Sequence, residues 1–292
     1  AMPIMKPWDV GYWSEKLRKE RYDFDSEDLR PYFPMQNVLE GMFSIYAGLY
    51  GIHFRQRETW CAVNGGTRTP DAVEVWHPEV LFYEVYDDES GEHLGSFYAD
   101  WYPRDEKRAG AWMDCLRCGL PPMNGMPREP HLALMCGNMS KPTEGKPALL
   151  SHYEVETVFH EFGHLLHQIL SDVEVRSLAG CNVAWDFVEL PSQINENWTW
   201  EREAMDRYAR HWQSGECIPS ELKDKMLAAR NYGAASFFMR QLSFGKLDLE
   251  LHKHTQLYLN RDIEEVDREI LAEYRVPMTE TGYSMLRGFS HI

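Results

Sequence analysis

The chain has 292 residues, of which 43% are hydrophobic and 13% aromatic, as is typical of a folded globular protein. Thirty Lys and Arg against 46 Asp and Glu give a formal net charge of −16. This charge disfavours nucleic acid and anionic membranes as partners, because both attract basic surfaces. The chain shows neither a membrane-spanning apolar run nor a secretion signal, so we expect a cytoplasmic protein.

The first half of the chain changes from helical to strand-like spacing. Residues 1–70 are rich in helix formers and carry a periodic apolar run at 38–50, so we expect a helical region. Residues 71–147 are different in character. Between 72 and 102, Val, Tyr, Phe and Trp recur near period two and are broken at 87–92. This pattern predicts a β-hairpin or small meander.

The second half begins with loops and then returns to helical spacing. Many Pro and Gly residues between 119 and 147 predict a loop-rich connection with one short strand at His131–Cys136. Residues 148–292 are predicted to be helical, with interruptions near Gly180, Gly215–Pro219 and Pro277. We therefore predict a single, mainly α-helical domain, 1–292, with a small β insertion.

The six cysteines show no disulfide framework, which is typical of a reducing compartment. Cys115 and Cys118 form a lone CxxC. We interpret them as reduced structural thiols, with a redox pair or a second zinc site as the alternative.

The most informative segment is an HExxH motif, His160 to His164, inside a predicted helix. Ser151 followed by Glu154 is a capping-box signal, and apolar residues recur at helical spacing after it. Residues four apart lie on one helix face, so both imidazoles can bind one metal ion while Glu161 lies beside it. The motif predicts a zinc site with a glutamate base, against the alternative of a helix with surface histidines.

A catalytic zinc takes three protein ligands, and the third must come from outside the motif. His167 lies about 10 Å along the helix axis from the first histidine, too far to share the ion, and we interpret it as a pocket wall. Downstream acids offer the alternatives. Spacing alone does not choose among Glu174, Asp186, Glu189 and Glu196.

Two strings in combination, Phe159–His164 and Asp186–Gln193, resemble the thimet oligopeptidase, oligopeptidase A and peptidyl-dipeptidase family of zinc metallopeptidases. The resemblance extends over nearly the whole chain. It also includes Trp8–Tyr12, Tyr32–Pro34, Phe97–Tyr98, Tyr102–Arg104, Asp248–His252 and Phe289–Ile292.

The resemblance implies a mainly α-helical, zincin-like catalytic domain that cleaves short peptides inside a channel. It makes His160, His164 and Glu189 the ligands of one zinc ion and Glu161 the general base. Zinc would lower the pKa of a water molecule and polarise the scissile carbonyl, while Glu161 moves the proton to the leaving amine.

Further site residues are candidates on position alone or by resemblance. Glu156, one helical turn before the first histidine, and Asp186 are candidates to orient the ligating imidazoles. His291 matches the family's substrate-contacting histidine, and Tyr283 lies close to it in sequence, so both are candidate substrate contacts.

The family is longer at both ends than this chain, which stops before the family's Gly-rich loop and tyrosines. Ala1-Met2 is typical of a cloning remnant, so we expect a fragment that binds zinc with weak or no turnover unless the missing segments complete it. The alternatives are a zinc- or peptide-binding module without turnover, and a structural helical protein with an accidental HExxH.

Overall fold

The structure, a computed structural model, describes residues 6, 8–64, 68–274 and 284–289. These residues divide into two compact units rather than the single predicted domain. The larger unit is 25–224, and the smaller comprises the described parts of 1–24 and 225–292. The smaller unit has an apolar core of its own, which explains the division. Its buried members are Leu247, Val266, Ile270, Leu271 and Met285.

Nine α-helices and seven strands are present in the described residues. The helices are α1 (Asp9–Tyr22), α2 (Met35–Tyr50), α3 (His152–Ile169), α4 (Glu189–Glu196), α5 (Arg202–Tyr208), α6 (Ser220–Ala229), α7 (Ala234–Lys253), α8 (Thr255–Tyr258) and α9 (Ile263–Ile270). The strands are β1 (Ile52–Arg57), β2 (Thr59–Trp60), β3 (Val73–Glu74), β4 (Leu81–Asp87), β5 (His93–Asp100), β6 (Trp112–Arg117) and β7 (His131–Cys136). None of the described helices combines the length and the apolar character that crossing a membrane requires.

Five strands form one mixed sheet in the order β1-β4-β5-β7-β6, and β2 pairs with β3 separately. All neighbours in the large sheet are antiparallel except β5 and β7, which are parallel. The hairpin of β4 and β5 turns within the predicted break at 87–92, and β7 matches the predicted short strand. Both expectations are confirmed.

The helical expectation for residues 1–70 is wrong beyond Tyr50. Gly51 takes a positive φ of 63°, which glycine adopts without steric cost, and its N–H caps the end of α2. The next residues, Ile52–Arg57, pair with β4 along their whole length. The short strand β2 was also unpredicted. Another unpredicted strand, Trp112–Arg117, lies at the sheet edge, where its largely exposed side chains need no alternation of apolar and polar residues.

Aromatic side chains bind α2 and α3 to the sheet. Phe43 of α2 stacks on Phe54 of β1 with ring centroids 4.4 Å apart, and both contact Phe162 of α3. Phe162 also meets Phe97 of β5 edge-on at 6.0 Å and is fully buried. Burial of one such side chain stabilises the fold by roughly 1.5–3 kcal/mol. Because Phe162 lies within the HExxH segment, this packing fixes the rotation of α3.

A buried charge cluster organises the connection from β5 to β6. Asp100, at the end of β5, accepts a bidentate pair of hydrogen bonds from Arg104 at 2.8 and 2.6 Å. Lys107 and the Trp76 indole also donate to this carboxylate, each at 3.0 Å. Burial alone would raise the pKa of Asp100, but these donors outweigh it and lower the pKa to about 2. The loop that leads into β6 is therefore anchored to the sheet.

Candidate metal centre

The central element of the site is α3, whose start is fixed by the predicted capping box. Ser151 Oγ accepts a hydrogen bond from the Glu154 N–H at 3.2 Å, and the Glu154 carboxylate accepts one from the Ser151 N–H at 2.7 Å. This prediction is confirmed. The helix continues through the HExxH segment without a break, so His160 and His164 lie on one face with ring centroids 5.0 Å apart.

Glu189 brings a carboxylate to both histidines. Its Oε2 lies 3.2 Å from His160 Nε2 and 3.1 Å from His164 Nε2. Ligands about 2.0–2.1 Å from a tetrahedral zinc are roughly 3.3–3.4 Å from one another, so these separations are close to the edges of such a tetrahedron. Among the described residues this is the one group of three or more His, Cys, Asp or Glu with ligand atoms within 4.8 Å of one another. The donor set and its spacing fit a divalent metal ion.

Close packing of α4 on α3 carries Glu189 to this position. A Cβ atom on Gly163 would lie 2.6 Å from Ser192 Cα and 2.8 Å from Asn195 Nδ2, so only glycine permits this approach. Ser192 Oγ lies 2.9 Å from both the main-chain oxygen and the Oε2 of Glu189, and it donates to this carboxyl group. Glu189 is also the first residue of α4, where the helix dipole favours a negative charge.

Glu196 orients the first histidine from the other side of the ring. Its Oε1 lies 2.7 Å from His160 Nδ1. With Nδ1 donating to this carboxylate, the Nε2 lone pair faces Glu189 and is available to a metal. His164 Nδ1 is buried and has no hydrogen-bond partner in the described part of the chain. Burial lowers the pKa of His164, which favours the neutral, metal-binding form.

Glu161 is a buried carboxyl group beside the cluster, with 7% of its surface exposed. Burial raises the pKa of Glu161 to about 7, and Glu189 adds to this effect, while His160 and the Met113 N–H oppose it. Met113 belongs to the edge strand β6, so a main-chain N–H of this strand lies close enough to the carboxyl group to lower its pKa. A group with such a pKa can both accept and release a proton near neutral pH.

A cavity of about 330 Å³ opens onto this cluster. Glu156 lies in its wall, where its Oε1 accepts a hydrogen bond from the Trp200 indole at 2.9 Å rather than from an imidazole. The complete lining consists of Ala111, Tyr153, Glu156, Thr157, His160, Glu161 and Glu196.

The remaining candidates lie away from the cluster or outside the described residues. Asp186 is exposed, and the described chain offers it no hydrogen bond or ion pair. His167 lines a separate cavity near the C-terminal end of α3 and lies 3.9 Å from Cys181 Sγ. Tyr283 and His291 lie outside the described residues.

Two residues, Glu196 and Met113, contribute to the site in ways that were not predicted from the sequence. Glu196 was weighed only as a ligand, yet it follows Glu189 by seven residues, which places both on one face of a helix and could have suggested its orienting position. The contribution of Met113 comes from its main-chain N–H, which no side-chain motif reveals.

An HExxH helix with a third acidic ligand on a neighbouring helix and a buried glutamate beside it is typical of metallopeptidases. Comparison with known proteins gives the family. The sequence model described as "Peptidase family M3" matches residues 3–292. This chain belongs to peptidase family M3, a metallopeptidase family whose membership implies a metal. The resemblance and the mainly α-helical, zincin-like fold expected from it are confirmed.

Individual relatives agree with this assignment. Oligopeptidase A of Salmonella typhimurium and oligopeptidase A of Escherichia coli are each 43% identical to the chain over 289 residues, which is 99% of this chain and 40% of the relative. Dipeptidyl carboxypeptidase of Escherichia coli is 36% identical over 270 residues, covering 92% of this chain and 37% of the relative. The chain thus spans about two fifths of the length of these relatives.

Proposed function

We propose that this chain is the catalytic part of a zinc-dependent oligopeptidase or peptidyl-dipeptidase that hydrolyses peptide bonds in short peptides. The observation that carries the proposal is the convergence of Glu189 Oε2 on the Nε2 atoms of His160 and His164. Two imidazoles and one carboxylate are the ligand set of many zinc peptidases. The names of the relatives, oligopeptidase A and dipeptidyl carboxypeptidase, support peptides as the substrate class.

In this proposal His160, His164 and Glu189 hold one zinc ion. The ion would supply Lewis acidity and lower the pKa of a water molecule towards neutrality. Glu161 takes the proton of the attacking water and delivers it to the leaving amine. The nearby Met113 N–H favours the ionised, proton-accepting form of this carboxyl group.

The surroundings of the site favour an extended peptide as substrate. The edge strand β6 passes beside Glu161, and its outer main-chain groups can pair with a peptide in β conformation. Tyr153 and Thr157 line the cavity beside Glu161. Tyr283 and His291 are further proposed substrate contacts, on the family resemblance alone.

The test combines metal analysis with cleavage of a fluorogenic oligopeptide. The wild-type chain is expected to bind one zinc ion and to cleave the peptide at a low rate. The variant Glu161→Gln keeps the zinc and loses cleavage by a factor of about 100 or more, because it removes the general base without removing a ligand. Zinc binding without any cleavage by the wild type would instead indicate a binding module. A protein that takes up no zinc would exclude both.

The ligand assignment has its own test. Zinc content is measured for Glu189→Ala and for Glu196→Ala, which remove neighbouring carboxylates from the same helix. We expect Glu189→Ala to empty the site, whereas Glu196→Ala lowers affinity by about 10–100-fold because it only releases the His160 ring. If Glu196→Ala emptied the site and Glu189→Ala did not, the assignment would be wrong.

A further inference from the structure

The CxxC motif lies at the end of the edge strand β6, and its two sulfur atoms are close. Cys115 Sγ and Cys118 Sγ are 3.0 Å apart. Side chains three residues apart on a regular strand point to opposite faces, so a straight strand would separate them. The register slips here, from Cys115 opposite Ala133 to Arg117 opposite Leu132. This bulge adds one residue to β6 and turns both cysteines to the same side.

The backbone after Cys118 is held firmly. The Gly119 N–H donates to His131 Nδ1 at 3.0 Å, and a Cβ atom at Gly119 would lie 2.1 Å from the main-chain oxygen of Glu129. On the other side, Gln168 Nε2 lies 3.5 Å from Cys118 Sγ. Cys115 is exposed, so a dissolved oxidant can reach the pair.

The spacing of the sulfur atoms separates a disulfide from a metal site. Two thiolates bound to one tetrahedral zinc, with bonds of about 2.3 Å, lie roughly 3.8 Å apart, whereas a disulfide requires about 2.05 Å. At 3.0 Å the pair is already closer than zinc would hold it. Within the described residues no third His, Cys, Asp or Glu completes a metal group with the two cysteines.

We propose that Cys115 and Cys118 are a redox-active pair that closes into an intramolecular disulfide across the bulge of β6. The reaction is exchange with a low-molecular-weight disulfide. One thiolate attacks that disulfide and releases one small thiol, and the second cysteine then displaces the other small thiol and forms the Cys115–Cys118 bond. Both protein sulfurs are oxidised, the small disulfide is reduced, and the two protons leave with the released thiols.

The cross-link lies on the strand that serves the candidate site. Met113, whose main-chain N–H lies close to the Glu161 carboxyl group, precedes Cys115 by two residues. Closing the bond draws the sulfur atoms together by about 1 Å. The oxidised pair therefore fixes the end of β6 without requiring rearrangement of the sheet.

The test is a peptide map after equilibration with oxidised glutathione. Partial desolvation of the Cys115 sulfur and the adjacent Cys118 thiol raise the pKa of Cys115 to about 12, so exchange is slow and the reaction is run at mildly alkaline pH to its end point. Free thiols are then blocked and the denatured protein is digested with trypsin. Trypsin cleaves after Arg117, so 109–117 and 118–128 separate when the pair is reduced.

In the oxidised wild type we expect these two segments as one species, lighter by two hydrogen atoms, that separates on reduction. Cys217→Ser and Cys181→Ser are matched controls and leave this species unchanged, whereas Cys118→Ser abolishes it. A stable glutathione adduct on Cys115 with no joined species would overturn the proposal. So would a link from Cys118 to Cys181, a thiol in the same neighbourhood. Because the readout is a mass, it is independent of peptidase activity.

Discussion

Gly163 controls the distance between the two helices that supply the proposed ligands, so Gly163→Ala tests the site through its packing. The added Cβ would lie 2.6 Å from Ser192 Cα, where ordinary contacts are 3.4–4 Å. Relief requires α4 to move by about 1 Å, because the backbone of Ser192 cannot rotate away. Glu189, one turn earlier on α4, moves with it.

The expected effects follow from that displacement. Metal–ligand distances are held within about 0.2 Å, so a shift of about 1 Å removes Glu189 from the coordination sphere. We expect zinc affinity to fall by at least about 100-fold, beyond the range for loss of an outer hydrogen bond. Overpacking also costs about 1–3 kcal/mol of unfolding free energy, partly offset by up to about 1 kcal/mol from the higher helix propensity of alanine.

The assay is zinc affinity by chelator competition, together with thermal unfolding with and without zinc. Gly48→Ala is the matched control, since Gly48 lies inside α2 and a Cβ there meets nothing within 4 Å. The control should bind zinc as the wild type does and gain a few tenths to about 1 kcal/mol of stability. If Gly163→Ala bound zinc within threefold of the wild type, the packing argument would be refuted.

Two further predictions concern groups around the site. Glu196→Gln keeps an acceptor for His160 Nδ1, so it should retain more zinc affinity than Glu196→Ala in the same competition assay. Equal losses of zinc affinity in the two variants would show that the negative charge of Glu196 matters rather than the hydrogen bond. Asp100 has its pKa lowered to about 2, below the ordinary 3.8, so it stabilises the fold above pH 3.8 and this contribution is lost as pH falls towards 2. The lowered pKa corresponds to about 2 kcal/mol of stability. The unfolding free energies of the wild type and Asp100→Asn should therefore converge by about that amount as the pH falls from 3.8 to 2. A constant difference between the two proteins would contradict the ion-pair explanation.

Local signals predicted the parts of the site that depend on one helix. The capping box at Ser151 and the four-residue spacing of His160 and His164 are set by helix geometry, which the sequence expresses directly. The β4 and β5 hairpin was predictable for the same reason, because its turn residues interrupt an alternating pattern. In each case the partner groups are close in sequence.

The parts that the sequence did not reveal depend on contacts between distant segments. β1 follows a helix with only Gly51 to mark the change, and it becomes a strand because β4 pairs with it. Gly163 lies inside the HExxH motif, and its structural contribution is to admit α4, which no local pattern shows. The choice of Glu189 among the downstream acids rested on family resemblance, since only tertiary packing brings its carboxylate to the histidines.

The third proposed ligand therefore depends on helix packing, which links metal binding to stability. α4 has only eight residues, too few to be stable alone, and it is held by its contact with α3. A ligand that binds only the folded state stabilises it by about 2.7 kcal/mol at 100 times its dissociation constant. Zinc should accordingly raise the unfolding temperature of the wild type, and this increment should shrink in Gly163→Ala, where the packing that presents Glu189 is disturbed. An increment of equal size at the same zinc concentration in both proteins would mean that Glu189 reaches the metal without the close approach of α4 to α3.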